Sequence, residues 1–126
     1  MFKSSVFVIV ISIIIAFGKH FDTDKLPVTI TTYQAVESQT DDTPTITADG
    51  THIKDGDQII AVSRDLLKVY PYGTLLKVQC DCPYNNKTFY VHDTMNKRFT
   101  NYVDVLAHKD DPLGKWGGYV SVVESP

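Results

Sequence analysis

The sequence is poor in the residues that would staple it or bind metal. Of its 126 residues only two are cysteine, Cys80 and Cys82. Positions i and i+2 of a strand share a face, but a bridge between them closes a very tight ring. Two thiols without a second pair make neither a disulfide framework nor a zinc site. His52, His92 and His108 lack metal-ligand spacing of the His-Glu-x-x-His kind, so neither a metal nor a cofactor is expected. Basic runs are missing too. Twelve Lys and Arg stand against fifteen Asp and Glu, a formal net charge of −3, with no stripe of cations to attract phosphate backbones. Nucleic acid is therefore excluded as an expected partner. No internal repeat is present, and little of the chain has helical periodicity. With 21% charged and 43% hydrophobic residues the composition is that of a folded chain, not a disordered one, and the length suits one domain.

What is present begins with an export signal. Lys3 is followed by an apolar run from Val6 to Phe17, broken only by Ser12, and then by Ala16-Phe17-Gly18. That is the layout of a secretory signal peptide. The run of about 12 residues falls short of the roughly 20 that span a bilayer. Residues 1–18 are thus expected to be a signal peptide, with an anchor through residues 6–17 as the alternative, and the protein is expected outside the cytoplasm, periplasmic or secreted. Removing residues 1–18 takes away Lys3 and no acid, which moves the net charge from −3 to −4.

The remainder reads as short strands separated by turns. Val28 to Ala35 is dense in β-branched residues. Ile59 to Val62 is a short apolar run of the kind buried on both faces. Leu75 to Cys80 alternates, and Thr88 to Asp93, Tyr102 to Leu106 and Gly118 to Val123 complete six strands. Ser63 to Leu67 suits a single helical turn. Glu37 to Gly56 is polar and without periodicity, a length that favours a functional loop over a plain connection. Six strands in about a hundred residues suit a small closed barrel, because closure removes exposed edges. The fold class expected is all-β.

Two carboxylates stand out. By alternation Asp93 shares a face with Phe89 and Val91, and Asp104 shares one with Tyr102 and Leu106. A carboxylate among apolar side chains has a raised pKa, since desolvation disfavours its charged form. An acid that keeps its proton near neutral pH is what protonating a glycosidic oxygen requires. The plainer alternative is that each accepts backbone hydrogen bonds in a turn or pairs with Arg64, Lys97 or Arg98. Asn86-Lys87-Thr88 fits the N-glycosylation pattern, but a hairpin-tip Asn is the plainer reading. Trp116 suits either stacking on a sugar or plugging one end of the barrel.

The order of Thr47-Ala48-Asp49-Gly50, Ile60-Ala61-Val62-Ser63, Pro71-Tyr72-Gly73-Thr74, Val91-His92-Asp93-Thr94-Met95-Asn96, Val103-Asp104-Val105 and Gly117-Gly118-Tyr119-Val120-Ser121-Val122 resembles the aspartate-rich 3D domain. That domain occurs at the C-terminal end of membrane-bound lytic transglycosylase A and in small exported cell-wall proteins. The resemblance implies a six-stranded double-psi β-barrel over residues 27–124, related in shape to rare lipoprotein A and to expansins. It implies Asp104 as a single catalytic acid and base that cleaves the glycan strand of peptidoglycan, with Asp93 in support. Asp65 stands near the place of a third family aspartate, and Thr47, Lys97, Arg98 and Tyr102 are expected to line the groove. A non-catalytic peptidoglycan-binding or structural module on the same barrel is the alternative. Two departures are plain. The family's glycine-rich stretch is replaced by Met95-Asn96-Lys97-Arg98-Phe99-Thr100, and the transglycosylase's large second domain is missing, which leaves a partner protein to supply the other groove wall.

Overall fold

β-branched and aromatic runs give six strands and one helical turn: β1 (Leu26–Tyr33), β2 (Ile59–Val62), α1 (Arg64–Leu67), β3 (Leu75–Cys80), β4 (Thr88–Thr94), β5 (Tyr102–Leu106) and β6 (Lys115–Val122). The computed structural model describes residues 24–35 and 45–124. The signal-peptide expectation for residues 1–18 and much of the polar loop lie outside the described residues.

The strands close into a barrel in the order β1-β5-β2-β4-β3-β6. β1 with β5 and β2 with β4 are parallel, while the remaining four pairs are antiparallel. This is the expected all-β, six-stranded double-psi barrel. Ile30, Ile60, Val62, Leu76, Val78, Val91, Val103, Val105 and Val120 are wholly excluded from solvent and fill its interior, as small barrels must fill theirs. β2 is buried at all four positions, which is why its sequence shows no alternation.

Trp116 settles the choice left open above. It pairs with the interior residue Ile30, packs against the core and meets Tyr84 edge to face at 6.0 Å between centroids. It belongs to the packing of the barrel. This pairing also starts β6 at Lys115, three residues before the expected Gly118. Cys80 and Cys82 form a disulfide at the end of β3, their Cα atoms 5.1 Å apart. Ser63, fully buried, ties the end of β2 to the start of β5: its N–H donates to the Tyr102 carbonyl (2.9 Å) and its Oγ accepts from the Tyr102 N–H (3.1 Å).

Candidate functional site

Register places the two singled-out carboxylates together on the outer face of the barrel. Ile60 and Val62 point inward with their partners Val105 and Val103, so Ala61 between them points outward, opposite Asp104. On the other side of β2 the pairing runs Ile60 with Val91 and then Ala61 with Asp93, a bulge that passes over His92. The extra residue turns Asp93 away from the interior face of Phe89 and Val91, where simple alternation would put it, and onto the face of Asp104. Bulges re-aim side chains in this way. Asp104 shares its outward face with Tyr102, as alternation requires. Across five strands the row reads Lys115, Thr31, Asp104, Ala61, Asp93. Two strand spacings separate the carboxylate-bearing backbones, roughly 10 Å. The small Ala61 leaves the space between them to the two acids.

The surroundings set different chemistry on each. The Thr31 hydroxyl donates to Asp104 Oδ1 at 2.7 Å. Burial pushes Asp104 up to about 6, against that hydrogen bond and with a further push from the charge of Asp93. No Lys or Arg pairs with Asp104 among the described residues. Asp93 accepts hydrogen bonds from the Ala48 N–H (2.9 Å), the Thr94 N–H (3.0 Å) and the Tyr33 hydroxyl (3.2 Å). Burial, then the charges of Asp93 and Asp104, push Tyr33 far above the usual phenol range, so its hydroxyl stays protonated and remains a donor. Burial thus raises one acid, while its neighbour is surrounded by hydrogen-bond donors.

The turn at residues 45–53 is fastened over this face. An Ile46–His52 bridge closes it, and the Asp49 N–H donates to the His92 carbonyl at 3.3 Å. His92 Nδ1 lies 2.6 Å from Asp49 Oδ2. Burial works against ionising Asp49, but hydrogen bonds from Thr47, His92 and Thr51 outweigh it and hold Asp49 down at about 2. Nδ1 of His92 is therefore the donor. The same bulge that turns Asp93 outward leaves His92 free to anchor the turn whose Ala48 N–H reaches Asp93. This part of the polar loop is thus tied to both His92 and Asp93.

The other expected site residues fall in four places. Thr47 is buried, its hydroxyl committed to Asp49 (2.7 Å) and accepting from the Thr51 N–H (3.0 Å), so it shapes the turn. Asp65 is exposed on α1 and accepts from the Asn101 N–H at 3.1 Å, which fixes the entry to β5. Lys97 and Arg98 are exposed in the β4–β5 loop, and Tyr102 is half-buried at the start of β5. Thr31, Tyr33 and Asp49 are not among the candidates the sequence offers, and His92 stands there only as a histidine without metal-ligand spacing. Asp49 and His92 do stand in two of the quoted motifs, whereas Thr31 and Tyr33 enter only through pairing across the barrel. Among the described residues no group of His, Cys, Asp and Glu could hold a metal ion.

Two outcomes follow from this electrostatic arrangement. Thr31→Val removes a hydrogen bond to the charged form of Asp104 and should raise its pKa further, read by NMR titration of the carboxyl carbon. The pH dependence of stability has the opposite sign to that of a paired acid. The folded state holds the Asp104 proton more tightly than the unfolded chain, whose value is near the ordinary 3.8. The stabilisation is full below about pH 4 and is lost as pH rises through about 6, on the order of 2 kcal/mol. Asp49 acts in a lower window, contributing above the ordinary 3.8 and losing its contribution as pH falls toward about 2. Urea midpoints should fall between about pH 4 and pH 7, and Asp104→Asn should flatten that fall.

No family model matches the chain, and no curated protein matches it. Among solved structures, the apo expansin of Clavibacter michiganensis is similar in fold. It has a TM-score of 0.57 and 17% identity, over 81% of this chain and 52% of that one. A mutant Clavibacter michiganensis expansin in complex with cellohexaose gives a TM-score of 0.58 and 16% identity, over the same shares of the two chains. The chain spans about half the length of these expansins. What it shares with them is the closed double-psi barrel.

Proposed function

We propose that the chain is a cell-wall glycan-acting barrel of the 3D type, exported after loss of residues 1–18, and that it cleaves the glycan strand of peptidoglycan as a lytic transglycosylase does. The observation that carries this reading is Asp104, raised to about 6 on an outer face it shares with Asp93. The expansin solved with cellohexaose lends support, since a barrel of this shape there accompanies a β-linked glucan.

The chemistry needs one acid. Asp104 gives its proton to the oxygen linking two amino sugars as the anomeric C–O bond breaks. Its carboxylate then takes the proton of the same sugar's 6-hydroxyl, whose oxygen closes on the anomeric carbon. An anhydro sugar leaves, Asp104 is protonated again, and no water is consumed. No second carboxylate is therefore needed at a hydrolase spacing. Asp93, held by Ala48, Thr94 and Tyr33, is a fixed negative charge beside the developing positive charge at the anomeric carbon. The open face leaves room for a partner protein as the other wall.

Mass spectrometry of soluble fragments after incubation with purified sacculi tests this directly. Anhydro-ended muropeptides are expected, and fragments with reducing ends or none at all would refute cleavage by this route. The second reading is glycan binding without turnover. It is favoured by the replacement of the family's glycine-rich stretch with bulkier residues, and it predicts sedimentation with sacculi without release. Failure to sediment would favour a structural role for the barrel.

A further inference from the structure

Beside the carboxylates, the outer face carries a cluster that the cleavage chemistry does not use. The Arg98 guanidinium carbon lies 4.7 Å from the centre of the Phe99 ring. The Phe99 and Tyr102 rings meet at 5.0 Å with 53° between their planes, and the Lys115 ammonium lies 5.8 Å from the centre of the Tyr102 ring. The β4–β5 loop and the first residues of β5 and β6 are thereby joined in one ladder of two cations over two aromatic rings. Its distance from the acid is fixed by the strands. Tyr102 is two positions before Asp104 on β5, about 7 Å along the same face, and Lys115 flanks Thr31, which flanks Asp104.

Neither cation is ion-paired among the described residues, although the chain has fifteen acids for twelve bases. Both are exposed, while the rings beneath them are half-buried. A neutral glycan gains little from such charges. An acidic one would be repelled by the charge of Asp93, and Lys115 in the same row, with Arg98 in the adjoining loop, offsets that repulsion. Tilted rings also offer a surface for the apolar face of a pyranose, with its substituents reaching the edges where the charges sit.

We infer that Arg98 and Lys115, held over Phe99 and Tyr102, form a subsite for a peptidoglycan sugar whose substituent carries a carboxylate, next to the sugar whose linkage meets Asp104. The inference rests on the proposed glycan reading and narrows it to an acidic strand. Arg98, over Phe99, supplies the planar fork that matches a carboxylate, and Lys115, over Tyr102, supplies a point charge.

Binding isotherms to purified sacculi test it, with native sacculi compared against sacculi whose carboxyl groups have been converted to amides. Amidation should weaken binding of the unaltered protein about tenfold, the scale of charge-assisted hydrogen bonds at a partly exposed site. The double variant R98Q/K115Q should bind native sacculi about tenfold more weakly and be indifferent to amidation, and R98K/K115R should recover most of the loss. Raised salt should weaken the unaltered protein more than the double variant. Equal binding of native and amidated sacculi by the unaltered protein would overturn the subsite, and this arm needs no variant to fold. Undiminished binding by R98Q/K115Q would do the same, as would a preference for polygalacturonate over sacculi. If the unaltered protein binds neither kind of sacculus, the glycan reading itself falls and the subsite falls with it.

Discussion

Asp104→Asn is expected to lower the release of anhydro-ended fragments from sacculi by at least about a hundredfold, the usual contribution of a positioned acid. Sedimentation with sacculi should be retained. Asn keeps the size of the side chain and an oxygen to accept from the Thr31 hydroxyl, now 2.7 Å from Asp104, so the barrel has no reason to change. What is lost is the exchangeable proton. The unaltered protein should also show release that declines as pH rises through about 6, where Asp104 gives up that proton. Unchanged release by the Asn variant would mean that another group does the chemistry.

The largest effect on stability is expected at Gly118. It pairs with Val28 on β1 and Cys80 on β3. A Cβ there would lie 2.6 Å from the Gln79 carbonyl oxygen, 2.7 Å from Ile30 Cδ1 and 2.9 Å from Cys80 Cβ. Ile30 can rotate, but a backbone carbonyl in a paired strand cannot withdraw without loosening β3 from β6. Gly118→Val should therefore cost about 3 kcal/mol or more, at the upper end of overpacking. Its neighbour is the control. A Cβ at Gly117 meets nothing within 4 Å, and Gly117→Ala should stay within about 1 kcal/mol. Urea denaturation of the two variants reads the difference, and equal midpoints would show that the barrel wall yields at Gly118.

The strands were legible in the sequence because local composition carries them: alternation in Leu75 to Cys80, the apolar run of Ile59 to Val62, and turn residues between. The face occupied by Asp104 was legible for the same reason. The orientation of Asp93 was not. Nothing local to Val91-His92-Asp93 announces a bulge, which exists because two residues of β4 must span one step of β2. Thr31 and Tyr33 were likewise invisible as site residues, since they meet the two acids only through pairings between distant parts of the chain. Thr47, expected to line the groove, is instead buried within its own turn, its hydroxyl taken up by Asp49 and Thr51. Trp116 could not be assigned from its flanking glycines, because Ile30 and Tyr84, which fix it, are remote in sequence.

Both neighbours of β1 are the last two strands of the chain, β5 and β6. During synthesis the first strand to be made therefore waits longest for company, and no two-stranded precursor containing it can form early. Closure of the barrel therefore waits for Lys115–Val122, and folding should be slow for a molecule of its size, as it is for chains dominated by distant pairings.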